Sequence, residues 1–255
     1  MNDFIGIFDS GIGGLSVYDT IHKELPNENI VYLADEANCP YGIKTKEEVR
    51  QITIRNIKTL FEMGAKIVVI ACNTATSSII DLIEQYPTKL IGVIQPTAFK
   101  AKEVSKGSIG LLATNLTVRS EIYKKYLGDE LKKSENASDF VPRIEAHDYD
   151  SDEMKRIIRN HTSQLKDVDT VILGCTHFKF IEKQIQEELP NATLIDSGLP
   201  TYEVLDAVLT KENLKRKNTL GKVAYYTTGN QNTSFEQLSS LGFQFDEVKH
   251  LDVSL

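Results

Sequence analysis

Short apolar runs alternate along this chain with longer stretches in which hydrophobic residues recur every three to four positions. A continuous Val/Ile/Leu run is typical of a strand buried on both faces of a parallel sheet, and the longer spacing is typical of an amphipathic helix. The apolar runs predict strands at residues 4–8, 30–34, 65–71, 90–93, 109–113, 141–145, 170–174, 193–195, 223–227 and 243–248. The patterns between them predict helices at residues 46–63, 77–86, 117–127, 152–166, 178–189 and 235–241.

The alternation of strands and helices indicates βαβ units and an α/β fold with parallel sheets. About ten strands are many for one open sheet, and domains typically have ~100–150 residues, so the 255 residues predict two similar α/β domains. A crossing point is expected at residues 95–97, because Pro96 disfavours continued regular structure. Residues 1–96 and 209–255 form the first predicted domain, whose sheet the last strands extend, and residues 97–208 form the second. The polar residues 128–139 are interpreted as a surface excursion.

The composition excludes several classes of protein. With 41% apolar and 25% charged residues the chain is typical of globular proteins, and its net charge of −7 argues against a nucleic-acid binder. No apolar segment reaches the ~20 residues that span a bilayer. No secretory signal is visible at the amino terminus, so we expect a cytoplasmic protein without nucleic-acid or membrane partners.

Two predicted strands lead into a cysteine. Residues 67–74 read IVVIACNT and residues 170–177 read TVILGCTH, so Cys72 and Cys175 each stand between an apolar run and residues able to cap a helix. Open α/β sheets bind ligands at the carboxyl ends of their strands. A helix start lowers the pKa of a nearby thiol toward neutrality, so the two thiols are a candidate acid and base that act on a substrate from opposite sides. Cys39 lacks this context and is interpreted as structural.

Other segments add weaker signals. Residues 9–14 read DSGIGG and predict a tight turn before a helix, which favours a bound carboxylate or phosphate; a glycine turn capped by Asp9 is the alternative. The loop is not a dinucleotide fingerprint, because Ser16 stands where a glycine is required. The three cysteines lack the close Cys/His spacing of a zinc site, so no metal is expected. His177 follows the second cysteine where a proton relay or a carboxylate partner would lie.

Several motifs occur in a fixed order along most of the chain. They are DSGIGGLSV at residues 9–17, PYG at 40–42, ACNTA at 71–75 and GCTH at 174–177, with further matches at 91–94, 113–120, 140–145 and 196–198. Together they resemble the glutamate racemase family. The resemblance implies two α/β domains with the active site in the cleft between them, and a cofactor-independent enzyme that interconverts L- and D-glutamate for peptidoglycan synthesis. A homodimer is expected on the same ground.

The resemblance also assigns residues. Cys72 and Cys175 would be the acid–base pair, assisted by Asp9 on one side and by His177 with Glu145 on the other. The residues implied to hold the ammonium and carboxylates of the amino acid are Asp9, Ser10, Tyr41, Gly42, Asn73, Thr74, Thr176 and His177.

Some positions depart from the family pattern, and other functions stay open. Gln95 and the pair Phe178-Lys179 replace more usual residues, and the charge of Lys179 would alter the field near the second cysteine. An aspartate racemase or a related two-cysteine isomerase is the alternative within the superfamily, and a non-catalytic amino-acid-binding protein is the alternative outside it. A thiol hydrolase is disfavoured, because neither cysteine shows a separate base and orienting partner in the sequence.

Overall fold

The computed structural model describes residues 2–217 and 219–253 of the chain. Within these residues the strands are β1 (Phe4–Asp9), β2 (Ile30–Ala34), β3 (Ala65–Ile70), β4 (Leu90–Gly92), β5 (Ile109–Ala113), β6 (Leu131–Asn136), β7 (Thr170–Gly174), β8 (Thr193–Ile195), β9 (Val223–Thr227) and β10 (Glu247–His250). The α-helices of the same residues are α1 (Leu15–Glu24), α2 (Lys46–Glu62), α3 (Asn73–Ser78), α4 (Ile80–Gln85), α5 (Ile94–Val104), α6 (Asn115–Arg119), α7 (Ile122–Leu127), α8 (Phe140–Glu145), α9 (Asp152–Thr162), α10 (Glu182–Glu188), α11 (Gly198–Lys211) and α12 (Gln231–Ser240). Short 3-10 segments lie at Glu36–Asn38, Tyr41–Ile43, Gly128–Glu130, Ser163–Leu165 and Thr176–Ile181.

The strands form two sheets in which all paired neighbours run parallel. The larger sheet has the order β10-β9-β2-β1-β3-β4, and the smaller has the order β6-β5-β7-β8. The predicted fold class, two parallel-sheet α/β sets, is confirmed. The last two strands extend the edge of the larger sheet beside β2, as the pattern of the C-terminal region predicts.

Both faces of the larger sheet are buried, which explains its continuous apolar strands. Alternate residues of β1 enter different cores, because successive side chains of a strand point to opposite faces. Ile5 and Ile7 pack with residues of α1 and α11, among them Leu205. Phe4 and Phe8 pack with residues of α2 on the other face. The faces of the sheet are therefore covered by helices, which leaves the ends of its strands accessible to a ligand.

The strand predicted at residues 141–145 is wrong, because this segment is helix α8. Phe140, Val141 and Ile144 are its buried residues, a spacing that fits one helical face. Pro142 lies in the first turn, where its missing N–H costs no hydrogen bond. A short apolar run fits either element, so periodicity alone does not decide between them.

Other departures occur where the local pattern is weak. Residues 128–139 contain β6, an edge strand of the smaller sheet whose charged side chains face water, as edge strands commonly do. The expected interruption at residues 95–97 is wrong, because Pro96 falls in the first turn of α5. The helix predicted at residues 117–127 is two helices, separated where Glu121 adopts a left-handed conformation with φ of 54°. In the described part of the chain, no helix has the length and apolarity needed to cross a bilayer.

A buried ion pair ties the returning C-terminal segment to the larger sheet. The ammonium of Lys66, in β3, donates to Glu28 Oε2 at 2.6 Å and to the backbone oxygen of Leu214 at 2.8 Å. Glu28 Oε1 accepts from the backbone N–H of Arg216 at 2.8 Å. The side chains of Lys66 and Glu28 are only 6% and 2% exposed, so neither charge has water as an alternative partner.

We therefore expect Lys66→Met to lower the free energy of unfolding by about 3 kcal/mol, because it leaves the Glu28 carboxylate buried without its counter-charge. Urea unfolding at pH 7, followed by circular dichroism, measures this. The control is Lys58→Met, which removes a surface pair with Glu62 whose side chains are 74% and 66% exposed. Little change is expected there. Equal effects of the two substitutions would contradict the assigned role of the buried pair.

Candidate active site

A small cavity lies where the carboxyl ends of the two sheets meet. Its volume is about 120 Å³, well below the roughly 300–1,000 Å³ of pockets for drug-sized ligands, so it suits a small metabolite. The lining residues that follow strands of the larger sheet are Ser10, Pro40, Tyr41, Gly42, Ile43, Cys72, Asn73 and Thr74. Those that follow strands of the smaller sheet are Thr114, Ser138, Val141, Pro142, Cys175, Thr176 and His177.

The order of the strands explains which residues meet. β1 and β3 are neighbours in the larger sheet, so Asp9 at the end of β1 lies close to Cys72, just beyond β3. β5 and β7 are neighbours in the smaller sheet, which brings Thr114 beside Cys175. Both cysteines are buried and free. One cavity thus receives one thiol from each sheet.

A larger groove elsewhere on the molecule has fewer side chains that could take part in catalysis. It has a volume of about 670 Å³ and is lined mainly by apolar side chains of α2, α4 and the edge strand β4. Its lining residues are Ile54, Ile57, Lys58, Phe61, Glu62, Ala65, Leu82, Tyr86, Lys89 and Leu90, with no cysteine or histidine among them. By volume alone the groove would be the better candidate for the active site. The small cavity is the better candidate by chemistry, because ionisable groups converge there.

Cys72 is hydrogen-bonded toward a carboxylate through a serine. Its Sγ accepts from the backbone N–H of Ala75 at 3.5 Å, and its thiol donates to Ser10 Oγ at 3.8 Å. Ser10 Oγ donates in turn to Asp9 Oδ1 at 3.4 Å. Burial raises the pKa of the Cys72 thiol, and the charge of Asp9 raises it further against the lowering effect of the Ala75 N–H. The expectation of a lowered pKa is therefore wrong for Cys72, because desolvation outweighs the start of a short helix.

Asp9 lies behind the cavity wall and joins the two halves. It is fully buried, and it accepts from the backbone N–H of Gly11 at 3.0 Å and from Thr176 Oγ1 at 3.1 Å. Burial raises the pKa of Asp9 from 3.8 to about 6, although the charge of His177 opposes the rise. A Cβ on Gly13 would lie 2.5 Å from His177 Nδ1, so only glycine lets the two loops approach this closely.

Cys175 has a different partner. Its Sγ lies 3.7 Å from His177 Nδ1, and His177 Nε2 lies 2.5 Å from Glu145 Oε1. Burial would lower the pKa of His177, but its hydrogen bonds and charge interactions with Cys175 and Glu145 outweigh burial and raise the pKa well above its ordinary value. In its protonated form His177 donates from both ring nitrogens, one toward sulfur and one to the carboxylate.

The hydrogen-bonded series Cys175, His177 and Glu145 contradicts the sequence-based argument against a thiol hydrolase. The statement that neither cysteine has a separate base and orienting partner is wrong for Cys175, since His177 and Glu145 stand in those positions. Glu145 reaches His177 from the end of helix α8, not from the predicted strand. The hydrolase alternative therefore has to be separated by experiment.

The predicted substrate-binding residues differ in what they offer to a ligand. The hydroxyl of Tyr41 donates to Asp35 Oδ2 at 2.5 Å, so it is already committed, and Tyr41 contributes its ring to the wall. The Asp35 carboxylate also accepts from Asn38, Asn56 and Thr228. This buried carboxylate therefore fixes the loop that carries Tyr41.

Two further predicted residues contact the second half directly. Asn73 Oδ1 accepts from the hydroxyl of Tyr123 at 2.8 Å, while Nδ2 is buried and has no hydrogen-bond partner among the residues that the structure describes. Thr74 Oγ1 shares a hydrogen bond of 2.8 Å with Thr114 Oγ1. All the predicted site residues except Asp9 and Glu145 line the cavity, and those two lie directly behind it.

Some lining residues have no predicted role. Thr114 could have been found, because it follows a buried strand as Cys72 and Cys175 do. Val141 and Pro142 belong to the matched motifs, but motif similarity alone gives them no contact with the cavity. Ser138 carries no usable signal, since it lies in the polar segment interpreted as a surface excursion.

The positions that depart from the family pattern lie outside the cavity wall. The ammonium of Lys179 is bound by Asp196 at 2.8 Å and by Glu182 at 2.7 Å, so neighbouring carboxylates balance its charge. Gln95 is exposed. Across residues 2–217 and 219–253, no group of three His, Cys, Asp or Glu side chains is arranged to hold a metal ion.

Comparison with known proteins shows similarity to racemases over nearly the whole length of the chain. A family model described as Asp/Glu/Hydantoin racemase matches residues 5–203. The glutamate racemase of Exiguobacterium sibiricum is 36% identical over 250 residues, which cover 94% of this chain and 92% of that protein. The structure of glutamate racemase isoform RacE1 from Bacillus anthracis is 33% identical, with a TM-score of 0.90 over 98% of this chain and 97% of that chain. Glutamate racemase from Francisella tularensis in complex with D-glutamate is 25% identical, with a TM-score of 0.89 over 99% of this chain and 98% of that chain. The resemblance drawn from the motifs is confirmed.

The raised pKa of Asp9 predicts a dependence of stability on pH. The folded protein holds this proton more tightly than the unfolded chain does, so stability falls as the pH rises from about 4 to about 6. Asp9→Asn removes the buried charge. It should raise the free energy of unfolding at pH 8 by up to about 3 kcal/mol, at about 1.4 kcal/mol per pKa unit. Urea unfolding at pH 4.5, 6 and 8 measures the gain, and a gain as large at pH 4.5 as at pH 8 would refute this explanation.

Proposed function

The chain belongs to the Asp/Glu/Hydantoin racemase family, and we propose that it interconverts L- and D-glutamate by a two-cysteine, two-base mechanism. The observation that carries the proposal is the pair of buried thiols that line one small cavity, each contributed by a different sheet. A single base can remove and return a proton on one face only. Bases on opposite faces of the α-carbon allow inversion without turning the substrate over.

In one direction the thiolate of Cys175 removes the α-proton, and the thiol of Cys72 delivers a proton to the opposite face. The electron pair of the broken C–H bond passes into the α-carboxylate and returns to carbon when the second proton arrives. The imidazolium of His177 stabilises the charge on the Cys175 sulfur before the transfer, and Glu145 holds the imidazolium. In the reverse direction Cys72 is the base, and Ser10 links it to the Asp9 carboxylate.

Neutral donors bind the substrate in this proposal. None of the described residues that line the cavity is a lysine or an arginine, so hydroxyl, carboxamide and backbone N–H groups hold the two carboxylates. Ser10, Asn73, Thr74 and Thr176 are the proposed donors. The cavity is small and its polar residues are buried, which strengthens each hydrogen bond relative to water.

The broader features of the proposal rest on the family alone. We propose that the reaction needs no cofactor, that it supplies D-glutamate for peptidoglycan in the cytoplasm, and that the enzyme is a homodimer. The two α/β sets would act as two domains that close around the amino acid. An aspartate racemase remains the alternative within the superfamily.

The test follows solvent deuterium into the α-position of L- and D-glutamate without added cofactor. The wild-type protein should label both enantiomers, while Cys72→Ala and Cys175→Ala should each lower racemisation at least about 10³-fold, because each removes an acid–base group. Aspartate is assayed in parallel. Faster turnover of aspartate than of glutamate would replace the substrate in the proposal.

Cys39→Ala is the matched control, since Cys39 does not line the cavity and its loss should leave racemisation intact. The same variants separate a thiol hydrolase from a racemase. A hydrolase that uses Cys175, His177 and Glu145 would not need Cys72. Racemisation of glutamate that survives Cys72→Ala but is lost in Cys175→Ala would therefore exclude the two-base mechanism.

A further inference from the structure

The contact between Tyr123 and Asn73 joins the two halves of the molecule inside the protein. We propose that Tyr123 is a positioning residue that turns the Asn73 carboxamide so that its NH₂ group faces a substrate carboxylate. This inference rests on the proposed function for the identity of the ligand. Its structural part, the orientation of the carboxamide, is independent of that function.

The two polar atoms of the Asn73 side chain differ in their hydrogen bonding. Oδ1 accepts a hydrogen bond from the Tyr123 hydroxyl at 2.8 Å, and no described residue within 2–217 or 219–253 is a hydrogen-bond partner for the buried Nδ2. Asn73 is only 2% exposed and lines the cavity. Buried polar groups are nearly always hydrogen-bonded in native proteins, so an unpartnered NH₂ beside a ligand cavity indicates that a ligand is its acceptor.

A carboxylate is the acceptor that this arrangement fits. A carboxamide presents a donor at one end and an acceptor at the other, and rotation by about 180° exchanges them. An NH₂ group attracts a carboxylate, whereas the carbonyl oxygen repels it. The described lining residues include no lysine or arginine, and both ring nitrogens of His177 are already paired with Cys175 and Glu145. The orientation of Asn73 therefore decides whether its side chain attracts or repels the carboxylate.

Tyr123 is well placed to hold one orientation. Its ring is 1% exposed and packs in an apolar cluster with Ile94, Ala98 and Leu127, so the hydroxyl has a fixed position. Burial raises the pKa of Tyr123, which keeps the hydroxyl protonated and able to donate. A fixed donor at this position favours the orientation in which the Asn73 carbonyl oxygen faces Tyr123 and the NH₂ group faces away from it.

The contact also links ligand binding to the approach of the two halves. Asn73 begins α3, next to the larger sheet, and Tyr123 lies on α7, next to the smaller sheet. The carboxamide is therefore oriented only when α7 is in contact with α3. Recognition of the carboxylate then depends on the closed arrangement of both halves.

The test removes only the hydroxyl. Tyr123→Phe keeps the packed ring and should raise KM for glutamate about tenfold while changing kcat less than about threefold, because a hydrogen bond to a charged ligand is lost or reversed. In an Asn73→Ala protein the same substitution should produce no further rise, since Tyr123 acts through Asn73. Tyr126→Phe is the matched control on the same helix, because the Tyr126 hydroxyl donates to the exposed carboxylate of Glu84, away from the cavity.

A second readout needs no turnover. In ¹⁵N NMR spectra, the side-chain NH₂ signal of Asn73 is identified by its loss in Asn73→Ala. It should shift in Tyr123→Phe and stay unchanged in Tyr126→Phe. An unchanged signal, an unchanged KM, or a rise in KM that adds to that of Asn73→Ala would each overturn the inference. If the wild-type protein does not racemise glutamate, the proposed function fails, and the NMR comparison still decides whether Tyr123 orients Asn73.

Discussion

Desolvation governs the centre of this molecule. Asp9 and Cys72 are buried where the two sheets meet, and burial is the largest influence on the pKa of each. Each group is kept there by hydrogen bonds to neighbouring loops, of which the bond from Thr176 to Asp9 crosses between the halves. Removing water makes the charged forms costly and makes each remaining hydrogen bond stronger. The tight approach at Gly13, the buried carboxylates and the small cavity are all parts of that one arrangement.

The two cysteines hold equivalent places in the fold but have unequal surroundings. Each follows a buried strand, and each strand is the neighbour of another whose end contributes a polar side chain. Ser10 and Asp9 adjoin Cys72, whereas His177 and Glu145 adjoin Cys175. An imidazole paired with a carboxylate therefore lies beside one thiol, and a serine hydroxyl lies beside the other. In the proposed two-base mechanism the two thiols need not be chemically identical, because mirror-image amino acids have equal free energies and either thiol can act first.

The strands with continuous apolar runs were predictable within about a residue, because burial on both faces leaves a local signature in β1, β3 and β7. β6 has no such signature, since an edge strand exposes its charged side chains. In the site, Cys72 and Cys175 are identified because ligands bind at the carboxyl ends of parallel strands, and the same argument would identify Thr114. It cannot identify Asp35 or Tyr123, whose importance arises from contacts with residues 6 and 50 positions away. The raised pKa of Cys72 was equally out of reach, because the local helix start and the tertiary burial act with opposite signs.

None of the described residues that line the cavity is a lysine or an arginine, so most of the lining groups that can donate a hydrogen bond are neutral. The strength of a neutral donor depends on its orientation. A lysine ammonium attracts an anion from any direction, whereas a carboxamide or hydroxyl must be aimed. Residues behind the wall therefore become functionally important, since the Asp35 carboxylate fixes Tyr41 and the Tyr123 hydroxyl contacts Asn73. The neutral donors of the cavity wall therefore depend on a second layer of buried polar contacts. Some lie within one half of the molecule, as between Asp35 and Tyr41, and some join the two halves, as between Tyr123 and Asn73.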